Sequence, residues 1–348
     1  MNTELNTNPD LKKEIRRDAG INAILLIGFW IIYFSASLIL PNAIGLFVRD
    51  KYSDLFENIF VLAFYIILYP VGFSLLFILF RKISKKYKDQ RLMECFKKPQ
   101  TPPGWTVKWI FLSIGATYAA AYISSILFAI LELITGVKLQ EAEFSYDNSA
   151  LGTFTTIISV PIFAPIFEEL FFRGTIYRNV RNYGTWSMII ICGITFGLWH
   201  ANYSQFLFAS VMGIFSCFLY EKTKSVIPSM IVHFIINSIG AATMLLIGQL
   251  GIDSKNEITA NPEMLMSNPL VMIIMMLIGF FMIAFLITWL ILMIAEIIEH
   301  KESFILEPKN KEISGGKKLI TYLSSPLMAA TMIAMLALTV YRALGGKF

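Results

Sequence analysis

Residues Pro161 to Gly174 read PIFAPIFEELFFRG, two adjacent glutamates and an arginine inside a run that is otherwise apolar, aromatic or small from Leu151 to Tyr177. A charge at the centre of a membrane helix costs about 2.5–3.5 kcal/mol on insertion scales, so three together must be offset or put to use. The rest of the chain says which solvent applies. Of 348 residues 56% are hydrophobic and 15% charged, with 29 Phe and 16 Met, and the mean hydropathy is +0.64. This composition excludes an ordinary soluble domain and predicts an all-α, polytopic transmembrane helical bundle.

A helix needs about 20 apolar residues to cross the hydrocarbon core. Nine stretches meet or approach that length: Ile21–Val48, Leu55–Phe80, Val107–Gly136, Leu151–Val180, Thr185–His200, Tyr203–Tyr220, Val226–Leu250, Pro269–Ile298 and Leu319–Leu344, the fifth and sixth being short. They divide the chain into a polar segment 1–20, N-terminal helices 21–136, a core 151–250 and C-terminal helices 269–344. The apolar run after residue 20 is too long for a signal-peptide core and ends in no small-residue cleavage site, so it is expected to remain as a helix.

Loop charges set the orientation. Residues 81–98 hold Arg81, Lys82, Lys85, Lys86, Lys88, Arg91, Lys97 and Lys98 against Asp89 and Glu94; residues 137–150 hold Lys138 against Glu141, Glu143 and Asp147. Arg178 and Arg181, then Lys222 and Lys224, then Lys301, Lys309, Lys311, Lys317 and Lys318 continue the basic set. The His200–Tyr203 turn and the Gly251–Ser267 loop continue the other. Basic and non-basic loops alternate as nine crossings of a cell membrane require, with the N-terminus cytoplasmic and the C-terminus outside. The net charge of +5 sits in these short loops, which points to topology control and away from nucleic acid. Cys95 lies in a basic loop while Cys192 and Cys217 lie in apolar segments, so no disulfide is expected. Trp105, Trp109 and Trp186 fall at the cytoplasmic interface. Gly193 and Gly197, then Ala209, Gly213 and Cys217, repeat at the four-residue spacing that lets membrane helices approach closely.

Glu57, Lys108, Glu132, Glu296 and Arg342 lie near span ends, and His300 lies in a charged loop. The deeper polar groups are Glu168, Glu169 and Arg173 in the fourth span, His200 closing FGLWH in the fifth, and His233 and Asn237 in HFIIN of the seventh. Glu169 and Arg173 are four apart, share a helix face and can pair. Glu168 is rotated roughly 100° from Glu169 and is left facing elsewhere. His233 and Asn237 present two hydrogen-bonding groups from one face. Each feature has a plainer role: a packing ion pair, an interfacial histidine, an interhelical hydrogen bond, and Phe196 as packing. An unpaired carboxylate within a span is itself a functional hypothesis.

Peptide hydrolysis needs an activated water and donors for the developing oxyanion. Glu168 with an imidazole suits the first task, and a second imidazole with an amide suits the other. Two histidines and a glutamate also make a zinc set, Glu168, His200 and His233, although HExxH is absent. A non-catalytic scaffold, a regulatory or bacteriocin-immunity protein, and a transporter use the same residue types. No internal repeat supports the last of these.

EELFFR, FGLWH and HFIIN resemble, in order and in placement on helices, the EExxxR, FxxxH and HxxxN motifs of the CPBP family of intramembrane proteases, the CAAX prenyl endopeptidases and bacteriocin-processing or Abi proteins. The resemblance covers about Leu151–Leu250. It implies a catalytic core in which Glu168 and His200 activate water, His233 and Asn237 form the oxyanion hole, and Glu169, Arg173 and Phe196 support them. It implies a glutamate-type mechanism with no cofactor, although the family was long labelled metalloprotease. The expected partners are the lipid bilayer and a membrane-associated peptide or protein substrate. The Lys/Ile/Asn-rich composition resembles the bacterial branch, which points to peptide pheromones, bacteriocin precursors or lipoproteins and away from a prenylated substrate. Counted from the cytoplasmic ends, Glu168 and Asn237 fall at mid-depth, His233 shallower and His200 deeper. Tilt, or a fifth helix displaced along the membrane normal, is needed to bring them level.

Overall fold

The computed structural model describes residues 9–48, 54–84, 92–140, 150–249, 269–306, 309 and 313–346. Among them are ten helices: α1 (Pro9–Ile44), α2 (Leu55–Ile83), α3 (Pro103–Thr135), α4 (Ala150–Val180), α5 (Thr185–Trp199), α6 (Tyr203–Thr223), α7 (Ile227–Gln249), α8 (Pro269–Glu299), α9 (Gly315–Leu323) and α10 (Pro326–Ala343). Eight, all but α5 and α9, are long and apolar enough to cross a membrane. The protein is a polytopic helical bundle.

The fifth span is the exception by length. At 15 residues, α5 is about 22 Å long, short of the roughly 30 Å hydrocarbon core. It ends in a tight turn, Ala201–Asn202, whose residues are 0% and 7% exposed. Ala201 takes the left-handed φ of 47°, Asn202 caps α6 by accepting from Ser204 N at 3.1 Å, and Arg342 Nη1 donates to Ala201 O at 3.4 Å. Irregular backbone at membrane depth has to be covered and hydrogen-bonded by protein, and this turn is. The small-residue spacing acts as expected: a Cβ on Gly213 would lie 2.8 Å from Gly193 Cα, and one on Gly197 would lie 2.4 Å from Phe206 O. Only glycine lets α5 and α6 come this close.

Loops read as sharing a side do meet. At one end Arg178 Nη2 contacts Glu94 Oε2 at 2.9 Å, Val226 N donates to Cys95 O and Gln100 N to Thr223 O at 2.9 Å each, and Lys222 Nζ donates to Ile305 O at 2.7 Å. At the other end Gln140 N donates to Ala343 O at 2.8 Å, beside the Arg342–Ala201 contact. Lys85, Lys86, Lys88, Asp89, Arg91, Glu141, Glu143, Asp147, the 251–267 loop and Lys311 lie outside the described residues.

Two expectations need correction. The first helix begins at Pro9, because Leu11, Ile15 and Ala19 give the polar-looking N-terminal segment a face that buries against the bundle. The last span is two helices: Ser324–Ser325 interrupts it, and Pro326 opens α10 at the position where its missing N–H costs nothing. Trp109 is buried inside the bundle, 4.6 Å ring to ring from Phe218 and 5.2 Å from Phe304. Lys108 and Glu296 reach each other as well as the helix ends, with Nζ–Oε2 2.6 Å joining α3 to α8.

Candidate active site

Helix α4 is not a uniform α-helix, and its irregularity aims the site. Wider π-helical turns span Ile158–Phe163 and Phe172–Tyr177, with the α-helical turns Ala164–Phe171 between them. Pro161 lacks the N–H that would continue the α-ladder. In the widened register Ala164 N donates to Ser159 O, and the next donor in line would come from Pro165, which has none. Val160 O is thus left without a helical partner, and Asn237 Nδ2 from α7 donates to it at 2.9 Å.

The intervening turns carry both glutamates, each buried. Arg173 Nη1 lies 2.9 Å from Glu169 Oε1, both side chains fully buried. Arg173 Nη2 donates to Gly213 O at 3.2 Å, and its guanidinium stacks 4.7 Å from the Phe196 ring. Phe196 in turn makes T-shaped contacts with His200 and His233, with centroids 4.8 and 6.0 Å away. The ion pair therefore does what its spacing suggested, and Phe196 packs against both its guanidinium and the two imidazoles.

The remaining groups converge on Glu168. His200 Nε2 and His233 Nε2 each lie 3.9 Å from Glu168 Oε2. Both rings are held by their other nitrogen: His200 Nδ1 is 2.8 Å from Phe196 O, and His233 Nδ1 is 3.2 Å from Glu169 Oε1. A carbonyl and an ionised carboxylate only accept, so each Nδ1 carries the hydrogen and each Nε2 faces the site. Glu168 Oε2 takes no hydrogen bond from any described residue. The His200 side chain is 20% exposed, against 5% for Glu168 and 3% for His233, so the site opens on the His200 side. The depth count did not keep His200 from Glu168: the end of α5 brings its Nε2 to 3.9 Å from Oε2.

Asn237 stands apart from this focus, with one amide hydrogen committed to Val160 O and a second available. One neighbour was not anticipated. Tyr69 Oη, from α2, donates to Glu168 Oε1 at 2.7 Å. The signal for it was faint, a tyrosine followed by proline in the middle of an apolar span.

All seven motif residues fall within one recognisable segment. Residues 150–239 match the family described as type II CAAX prenyl endopeptidase Rce1-like. The core is Rce1-like. The matched segment covers roughly a quarter of the chain. Among curated proteins the chain is 30% identical to UPF0177 protein YaiH of Lactococcus lactis subsp. lactis (strain IL1403) over 105 residues, 30% of this chain and 43% of that protein. It is 26% identical to UPF0177 protein YxdF of the same strain over 151 residues, 42% of this chain and 84% of the relative. The chain thus spans less than half of the first relative's length and most of the second's. No solved structure matches. Tyr69 lies outside the Rce1-like segment.

Proposed function

We propose that the protein is an intramembrane endopeptidase that hydrolyses a peptide bond in a membrane-associated peptide or protein. The observation that carries this reading is the shared focus of two imidazole Nε2 atoms on Glu168 Oε2, each 3.9 Å from that oxygen. Two hydrogen bonds of about 2.8 Å meeting near a right angle span about 4 Å, so this spacing suits groups that hold one water between them. Glu168 takes a proton from that water at Oε2 while His200 Nε2 accepts its other hydrogen. The water oxygen bonds to the substrate carbonyl carbon. His233 Nε2, when it carries a hydrogen, and the free Asn237 N–H donate to the oxygen as it becomes negative. The C–N bond then breaks, and the leaving nitrogen takes the proton that Glu168 received.

Glu168, His200 and His233 supply donor types that zinc takes, with each Nδ1 braced by a carbonyl or carboxylate as metal-binding histidines usually are, but among the described residues no group of three such side chains is placed to hold a metal ion. A zinc ion there would polarise the carbonyl and acidify a bound water. The reading favoured here assigns water activation to Glu168 without metal. The chain lies in the cell membrane with its N-terminus cytoplasmic, and its substrate arrives through the bilayer or from the surface as a lipidated or amphipathic peptide.

The test is cleavage of a library of prenylated, lipidated and plain amphipathic peptides in proteoliposomes, read by mass spectrometry for wild type and Glu168→Gln, with and without a zinc chelator. Cleavage by wild type alone, indifferent to chelator, is expected. Loss of cleavage with chelator overturns the metal-free assignment, and full activity in Glu168→Gln overturns the role of Glu168. A stably folded protein that cleaves none of the peptides counts for a scaffold or immunity role.

A further inference from the structure

We infer that Tyr69 is a positioning residue of this site, holding Glu168 so that Oε2 and not Oε1 is presented to the imidazoles. The inference rests on the endopeptidase reading and extends it to a helix outside the Rce1-like segment. A carboxylate has two equivalent oxygens, and rotation about its last torsion exchanges them at little cost. The Tyr69 hydroxyl removes that equivalence: at 2.7 Å its bond to Oε1 has the short length of an O–H donor on a charged acceptor. Oε1 is thereby engaged, and Oε2 alone is left to exchange protons.

Tyr69 is itself well fixed. Proline at position 70 forces a π-helical register over Ile67–Phe73, which turns the Tyr69 side chain from α2 toward α4. Its ring lies parallel to Tyr65 at 5.6 Å and 4° and packs on Phe73 at 5.6 Å, Phe167 at 6.2 Å and Phe163 at 6.5 Å. Buried among four rings in this way, the hydroxyl has one direction to point. Phe163 and Phe167 flank Glu168 on α4, so the aromatic cluster keeps the distance between the two helices constant while it aims the hydrogen bond. A tyrosine present only to satisfy a buried carboxylate would be one of several donors; here the second oxygen has none from the described residues.

Tyr69→Phe removes one oxygen and keeps the ring. In full-length protein in proteoliposomes, assayed with whichever library peptide wild type cleaves, we expect kcat to fall about ten- to a hundredfold, the effect of a hydrogen bond to a charged group. KM should stay within about twofold, since the hydroxyl does not touch substrate, and Tyr65→Phe, which removes a hydroxyl one turn away, should behave as wild type. A kcat for Tyr69→Phe within twofold of wild type, with Glu168→Gln inactive, overturns the inference and leaves the endopeptidase reading standing. Activity in Glu168→Gln overturns both. A readout independent of turnover uses protein labelled with 13C at the tyrosine ring carbon that bears the hydroxyl. The infrared C–O band that Tyr69→Phe deletes should shift in Glu168→Gln. An unmoved band overturns the inference whether or not a substrate has been found.

Discussion

Two of the buried carboxylates that accept a tyrosine hydroxyl in this bundle differ in what becomes of the second oxygen. At the basic end of the bundle, Asp18 of α1 accepts Tyr183 Oη on Oδ2 at 2.6 Å and Arg17 Nε on Oδ1 at 2.9 Å. Around it Asn179 Nδ2 donates to Asp18 O at 3.0 Å and to Asn22 Oδ1 at 2.9 Å, and Asn22 Nδ2 donates to Ile176 O at 3.1 Å. In the core, Glu168 accepts Tyr69 on Oε1 and turns Oε2 toward two histidines that do not quite reach it. The Asp18 cluster has both oxygens engaged and ties α1 to the end of α4. The Glu168 cluster is left one partner short, the arrangement expected where a reacting molecule supplies the missing contact.

The contrast can be broken in order of size. Glu168→Gln should lower the cleavage rate by about a thousandfold or more, the upper range of general-base contributions, while its thermal midpoint stays near wild type. Arg173→Ala strands Glu169 and should cost about 3–5 kcal/mol of stability, as breaking a buried ion pair does, measurable by denaturation in detergent. Asp18→Ala deletes the hydrogen bonds that Asp18 accepts from Tyr183 and Arg17 and should cost about 1–3 kcal/mol, with kcat per folded molecule unchanged. An equal loss of kcat would erase the distinction between the two carboxylates. Arg16→Ala, next to the Asp18 cluster, removes an exposed 3.4 Å contact to Ser324 Oγ and should alter stability by no more than about 0.5 kcal/mol.

The site was legible to the extent that it violated its surroundings. Glu168, Glu169, Arg173, His200, His233 and Asn237 stood out because lipid-solvated helices exclude such groups, and helical spacing sorted the pair from the free carboxylate. Tyr69 did not stand out, because among 14 tyrosines and 29 phenylalanines one more aromatic residue in an apolar span is ordinary. The bond from Asn237 to Val160 O was hidden for a different reason. It depends on a main-chain carbonyl freed by two prolines, and no side-chain pattern announces that. The break before α10 was written as Ser324–Ser325–Pro326, but a hydropathy window averages across three residues. The buried start of α1 was missed because its polar residues, Asp18 among them, read as solvated, when Asp18 in fact pairs inside.

The shortness of α5 bears on how the protein is made. A segment of 15 residues falls below the length that partitions into a bilayer by itself, and its far end is a turn whose Ala201 carbonyl accepts from Arg342 of α10. During synthesis α5 must therefore wait for α6, to which its glycines fit it, and the two enter as a hairpin. A chain truncated after Trp199 should leave this segment on the side where it was translated, and one truncated after Thr223 should bury both. The histidine at the tip of that hairpin then reaches Glu168 by being carried in with its neighbour.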